Sequence, residues 1–233
     1  MATSKRQITA EEIKSIARQQ MAEKGTNGLS LRGIARELNI TAPAIYNYFP
    51  RLDDLITALI VDAFTALACA VEAADQSEEP SAYGTRLKAA MMAYREWAVM
   101  HPADFQLIYG NPIPGYEAPA EVTIPLARRS LEIMGQPLGL AWQAGQLSFP
   151  PEYQPIPPEN AAYMKEWLEP LYGEIGLPVE MFYLLIVGWS RIHGIIMLEL
   201  FEHIGPTVGD VKAFYEREVD TLLERCGLQT DTG

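Results

Sequence analysis

The chain has 233 residues, 48% of them hydrophobic, enough to bury a sizeable core as one or two domains. Its 30 Asp/Glu against 18 Lys/Arg leave a formal charge of −12, which argues against a protein that binds nucleic acid non-specifically over its whole surface. No run of 18 apolar residues occurs, so no membrane span is expected, and the opening MATSKRQITAEE lacks the apolar stretch of a signal peptide.

In chain order, Lys5 and Arg6 read as a basic arm ahead of a first helix. Thr9-Ala10-Glu11-Glu12 has the spacing of a capping box, with a carboxylate three residues after the cap. Ile13, Ile16, Ala17 and Met21 then form an apolar stripe, and Gly25 ends the helix in a left-handed conformation. After a turn at Thr26-Asn27-Gly28, Ser30 caps a second, short helix with Leu31, Ile34, Ala35 and Leu38 on one face. Asn39-Ile40 interrupts it. Thr41 caps a third, with Pro43 in the first turn, where a missing N–H costs little, and Ile45 and Phe49 facing the core. Helices this short are marginal alone and need a third to pack on. Two of them at a tight turn, braced by a neighbour, are the plan of a helix-turn-helix DNA reader.

Past Pro50, a long helix is predicted from about Leu52 to Ala74, with Asp53 and Asp54 complementing its positive end. Residues 75–80 read as a surface break, and a helix follows over 81–100. His101-Pro102 restarts a short helix carrying Phe105, Leu107 and Ile108, and the turn formers of 110–116 end it. One helix is expected from about Pro119 to Met134 and another from Pro137 to Leu147. The proline-rich stretch 148–158 reads as a long loop, poorly ordered or serving as a lid. Two final helices are expected, from Pro178 to about Ile204 and from Pro206 onward. The first is apolar on more than one face and must be covered on several sides. A homodimer through helices about 178–204 and 206–226, four in the assembled bundle, would cover it.

The succession of a capped helix, glycine, Ser30-Leu31-Arg32-x-Ile34-Ala35-Arg36-Glu37-Leu38, a turn, Thr41-x-x-x-Ile45-Tyr46-x-Tyr48-Phe49 and an acidic helix start resembles the tetracycline-repressor (TetR/AcrR-like) family over about 60 residues. The resemblance implies an all-α chain. A three-helix helix-turn-helix DNA-binding domain would occupy residues 1–52, and a larger helical ligand-binding and dimerisation domain residues 53–233. It implies that Arg32 reaches bases or phosphate, that Thr41, Ala42 and Pro43 start the groove-facing helix, and that Tyr46, Asn47 and Tyr48 supply contacts. Leu52 stands where the family usually carries a phosphate-clamping lysine, and Arg51 is the candidate replacement. Trp189-Ser190-Arg191-Ile192-His193-Gly194 resembles the signature of one class of C-terminal domain in this family, which implies fold and dimer mode.

Plainer readings stand beside these. Tyr46 and Tyr48 fit as packing residues, and Arg32 and Arg36, four apart with Glu37 nearby, fit a solvated face. Ala42 and Pro43 offer only apolar contact, for instance to a thymine methyl. For an effector pocket the candidate walls are Trp97, Phe105, Trp142, Trp167, Tyr183 and Trp189, with Met91, Met134 and Met197 as adaptable filler and His101, His193 and Arg95 as polar groups. Each aromatic is also an ordinary core residue at helical spacing.

Charge divides the chain. Residues 1–50 hold seven Lys/Arg and four Asp/Glu, and the remainder 11 and 26, so a small basic head sits on an acidic body. Three histidines (101, 193, 203) and two cysteines at no metal-ligand spacing, with no phosphate-cradling loop, give an enzyme little support; no metal or cofactor is expected. Cys69 and Cys226 read as two buried free thiols of a cytoplasmic protein. The function expected is a DNA-binding regulator, a repressor released from a double-stranded operator by a small apolar or amphipathic molecule. The alternatives are an all-α protein-interaction adaptor without DNA binding and an uncharacterised helical enzyme.

Overall fold

A computed structural model describes residues 8–172 and 177–230, and every regular element among them is helical. The basic arm at Lys5 and Arg6 lies outside the described residues. The chain forms two compact units, residues 1–65 with 101–125, and residues 66–100 with 126–233.

In the first unit, α1 (Ala10–Lys24) starts on the expected capping box, with both Thr9–Glu12 hydrogen bonds formed, and ends at Gly25 with φ 72°. A short 3₁₀ turn (Thr26–Gly28) leads to α2 (Leu31–Glu37), where the Ser30 side chain accepts the Gly33 N–H. Asn39 takes a left-handed φ of 55°, and Thr41 begins α3 (Ala42–Tyr46) without a side-chain cap hydrogen bond. Ile13, Ile34 and Ile45, one from each helix, are fully buried. Burying one such side chain is worth about 1.5–3 kcal/mol, and this shared core holds up helices too short to stand alone. The first half of α4 (Leu52–Gln76) adds Leu55, Ile56 and Leu59, and α6 (Pro102–Tyr109) adds Phe105 and Leu107.

In the second unit, the rest of α4 packs with α5 (Tyr83–Met100), α7 (Ala120–Gln143, from Leu126), α8 (Pro158–Tyr172), α9 (Val179–Leu200), α10 (Gly205–Val208) and α11 (Val211–Arg225). Several sequence expectations change here. One helix, α7, runs through both Pro125 and Pro137, where two were expected. An interior proline costs about 3 kcal/mol, but Ile133, Met134, Leu138 and Ala141 continue one buried stripe past Pro137 and hold the helix together. Helix α8 had no counterpart in the sequence reading. The last helix starts at Val211 rather than Pro206, because Gly209 at φ 74° breaks the chain and Asp210 caps α11 through the Ala213 N–H. Asp75, expected in a surface break, is buried and holds Arg86 through two 2.9 Å hydrogen bonds. Of the two cysteines only Cys226 is buried; Cys69 is exposed on α4.

The 148–158 loop contains a 3₁₀ turn (Pro151–Tyr153) and three ties: Ser148 N–H to the Cys226 carbonyl at 2.9 Å, Glu152 to Arg225 at 3.2 Å, and the Tyr153 ring 6.4 Å from Tyr183. Helices α4 and α9 are each long and apolar enough to cross a membrane by length and composition, although neither contains an unbroken run of 18 apolar residues. Both serve as core helices here, with Leu59 and Leu67 of α4 and Met181, Ile192 and Ile196 of α9 buried.

Candidate nucleic-acid interface and effector region

Helix α3 has a buried side and an exposed one. Ile45 and, just beyond the helix, Phe49 are buried, while Thr41, Pro43, Tyr46, Asn47 and Tyr48 are exposed and Ala42 is half-buried. Tyr46 is 41% exposed and Tyr48 40%, beside one another at the end of the short reader helix. Arg32 is exposed on α2, one residue after the buried Leu31. The two tyrosines differ in their surroundings. The Tyr48 hydroxyl donates to the Ile8 carbonyl, tying the segment ahead of α1 to the end of the reader.

Arg51 stands just ahead of α4, where the Asp54 side chain reaches back to it. Its backbone N–H donates to Asp54 at 2.8 Å and its guanidinium reaches the same carboxylate at 3.2 Å, with Asp53 3.9 Å away. The hydrogen bond from Arg51 holds the Asp54 carboxyl below its ordinary range and Arg51 above its own. A phosphate would have to compete with these two carboxylates for Arg51. The same residues line one side of a groove of about 650 Å³, opposite Gly115, Tyr116, Glu117 and Pro119, and the Tyr116 hydroxyl lies 2.9 Å from that of Thr57.

Behind the reader lies an ionic cluster that sequence reasoning missed. The buried Lys14 meets Asp62 at 2.7 Å and Glu11 at 2.6 Å, while Arg18 meets Asp62 and Asp104, each at 3.1 Å. Burial alone would depress the Lys14 ammonium, but Asp62 and Glu11 more than offset this and raise it. Arg18 is likewise raised against its burial by Asp104 and Asp62. Gln20, also buried, donates to Glu37 at 2.9 Å and pins α2 to α1. Apart from Glu11, three residues before Lys14, the partners lie 17 to 86 residues apart, and no local spacing signals them.

The effector candidates do not converge on one place. His101 and Phe105 belong to the first unit, where His101 precedes α6 and the fully buried Phe105 packs at a tilt against Tyr109 with ring centroids 5.0 Å apart. The other six belong to the second unit. Trp97 is buried; Trp142 is 39% exposed against Phe149; Trp167 carries the Arg128 guanidinium 3.9 Å above its ring; Tyr183 meets Tyr153. Trp189 and His193 do come together, with ring centroids 5.0 Å apart. They share one fully buried residue not foreseen from sequence, Tyr94, whose hydroxyl lies 2.9 Å from His193 Nδ1 and accepts Trp189 Nε1–H at 3.3 Å. Burial lowers the His193 pKa and favours the neutral imidazole. Next to Tyr94 in sequence, Arg95 is closed by a two-pronged ion pair with Glu199. Leu87, Met91, Leu184, Gly188 and Leu222 border a small apolar void of about 30 Å³.

Comparison with known proteins fits this architecture. Residues 13–59 match the model described as bacterial regulatory proteins, tetR family, and residues 87–222 match the tetracyclin repressor-like C-terminal domain. The HTH-type transcriptional regulator Rv1816 of Mycobacterium tuberculosis (strain H37Rv) is 33% identical over 207 residues, covering 87% of this chain and 84% of the relative. A solved structure of the regulatory protein SCO4313 is 29% identical, with a TM-score of 0.75 over 92% of this chain and 95% of that one. A Rhodococcus sp. RHA1 protein of unknown function, 20% identical with a TM-score of 0.72 over 98% of this chain and all of that one, shares the fold. With both halves matched, the chain belongs to the tetracycline-repressor (TetR) family of helix-turn-helix transcriptional regulators, which are not enzymes.

Proposed function

We propose that the protein is a ligand-responsive repressor that works as a homodimer in the cytoplasm. Residues 1–52 bind the operator, and residues 53–233 bind the effector and dimerise through helices about 178–204 and 206–226. The observation that carries the reading is the two-sided α3, which turns Ile45 and Phe49 into the core and leaves Tyr46 and Asn47 outside. Tyr46, Asn47 and Arg32 make the polar contacts to DNA, Thr41, Ala42 and Pro43 form the close-approach surface at the start of α3, and Tyr48 and Arg51 frame it. The test is a gel shift with the Tyr46→Ala variant on the protein's own upstream region. Operator binding is lost while the circular-dichroism melt stays put; unchanged affinity would sink the assignment.

For the effector, the Tyr94–Trp189–His193 cluster supports an amphipathic molecule, since it sets hydrogen-bonding groups among large apolar rings. The nearby void of about 30 Å³ is too small for such a molecule, so binding has to open the helices around it. That gives a route to regulation. A ligand releases DNA only by preferring the opened state over the DNA-competent one, and only to the extent of that preference. Native mass spectrometry of the purified protein checks this: a bound small molecule whose addition lowers operator affinity is expected, and one that leaves it unchanged is not the effector.

A further inference from the structure

Resting on the assignment of α3 to DNA, we infer that Asp54 holds Arg51 back from the operator: its carboxylate occupies the guanidinium in the free protein, and a DNA phosphate has to displace it. Arg51 follows the exposed end of α3 at Tyr46 and stands just before α4. Other cations of the head are spoken for. Lys14 and Arg18 are turned inward to Asp62, Asp104 and Glu11, and Leu52, next to Arg51, carries no charge. Phosphate contacts supply most non-specific affinity for DNA. In a chain of net charge −12, the state of one exposed arginine beside the reader therefore matters.

The restraint is built into the start of α4. Asp54 lies three residues after Arg51, and its Oδ2 accepts the Arg51 backbone N–H at 2.8 Å. That bond fixes the carboxylate, whose Oδ1 accepts from the Arg51 Nη2 at 3.2 Å. Asp53 sets a second carboxylate 3.9 Å from Nη1. Nη1 and Nη2 belong to the fork with which a guanidinium grips a phosphate, so carboxylate and phosphate compete for the same donors. The Arg51 side chain is 70% exposed and that of Asp54 36%, which leaves the pair open to an incoming phosphate. Exposed ion pairs shift an equilibrium by at most about fivefold. Asp54 thus tunes the affinity of each head and does not abolish it.

The test is fluorescence anisotropy on a duplex selected by the wild-type protein from a random pool. Affinities are compared at about 0.3 M salt, where charges more than about 8 Å apart are largely screened, and slopes come from a salt series. Asp54→Asn keeps an acceptor for the Arg51 N–H but loses the charge, and it binds about threefold more tightly for each engaged head. Arg51→Gln binds more weakly, with a log–log salt slope shallower by about one for each head. In the Arg51→Gln background, Asp54→Asn brings no gain. Asp53→Asn leaves the bond to the Arg51 N–H intact and follows the same pattern with a smaller gain; it takes the place of Asp54→Asn if urea unfolding shows that variant to be unfolded. Equal gains with and without Arg51 overturn the proposal, because Asp54 would then repel DNA directly. So does the absence of a gain in the wild-type background, and so does an Arg51→Gln variant with wild-type affinity and slope. Tyr46→Ala on the same duplex tests α3 separately. Retained binding overturns the reader, whereas lost binding with no gain from Asp54→Asn overturns the restraint alone.

Discussion

Ile45 and Tyr46 are neighbours on α3, yet one is fully buried and the other 41% exposed. A helical step of 100° is enough to put one side chain in the core and the next against a partner. Truncation separates their roles: Ile45→Ala lowers the urea-unfolding free energy by about 2–5 kcal/mol, whereas Tyr46→Ala leaves it nearly unchanged and removes operator affinity. His193 carries a pH signature. Its folded pKa lies below the ordinary value of 6.5, so the unfolded chain binds more protons as pH falls through 6.5. The neutral ring's stability contribution is full above that value and is lost below it, until the folded pKa is passed. The wild-type Tm should therefore fall from pH 7.5 to 5.5 by more than that of His193→Gln; equal falls would assign the pH dependence to other groups. Gly84 is set by contact, since a Cβ there would come within 2.0 Å of the Gln229 carbonyl. Gly84→Ala is expected to displace the C-terminal segment from α5 and cost about 1–3 kcal/mol in denaturant unfolding.

Among the helices, α1 and α7 show where local pattern was sufficient and where it was not. The start and stop of α1 were legible because capping box and glycine terminus involve residues three or four apart. Its buried Lys14 and Gln20 were not, because Asp62 and Glu37 lie 48 and 17 residues away. The continuity of α7 past Pro137 was hidden for the same reason, its apolar stripe outweighing a local break only once neighbours are in place. The Lys14–Asp62–Arg18 cluster gives an element-level prediction. Asp62→Ala leaves a buried ammonium without its main partner and destabilises the protein by roughly 3 kcal/mol. Urea unfolding of Asp62→Ala and Asp62→Asn checks it. A change below about 0.5 kcal/mol, the level of an ordinary surface substitution, would show that water already solvates the cluster.

For the assembled protein, α9 is the decisive helix. It is apolar over more than one face, and Leu198 and, just beyond it, Phe201 remain 45% and 47% exposed in the single chain. Under the proposed dimer, Leu198→Glu with Phe201→Glu shifts light-scattering mass from twice 25.9 kDa toward the single-chain value and weakens operator binding with it. A variant that stays dimeric would move the interface elsewhere. The sequence reading of a basic head on an acidic body also changes in substance. Part of the head's positive charge is turned inward to Asp62 and Asp104, so fewer cations face outward than composition suggests.

Residue order alone was enough to establish the helical class, the capped α1, the short α2–turn–α3 reader and the family, because each rests on spacings of three to seven residues that repeat within one element. Folding was needed to establish which charges stay outside, which of the aromatics meet, and that Tyr94 joins Trp189 and His193 and Tyr48 holds Ile8. Those contacts join residues 40 to 99 positions apart. Burial and ion pairing between such distant partners depend on how helices pack, and no periodicity within one helix encodes that.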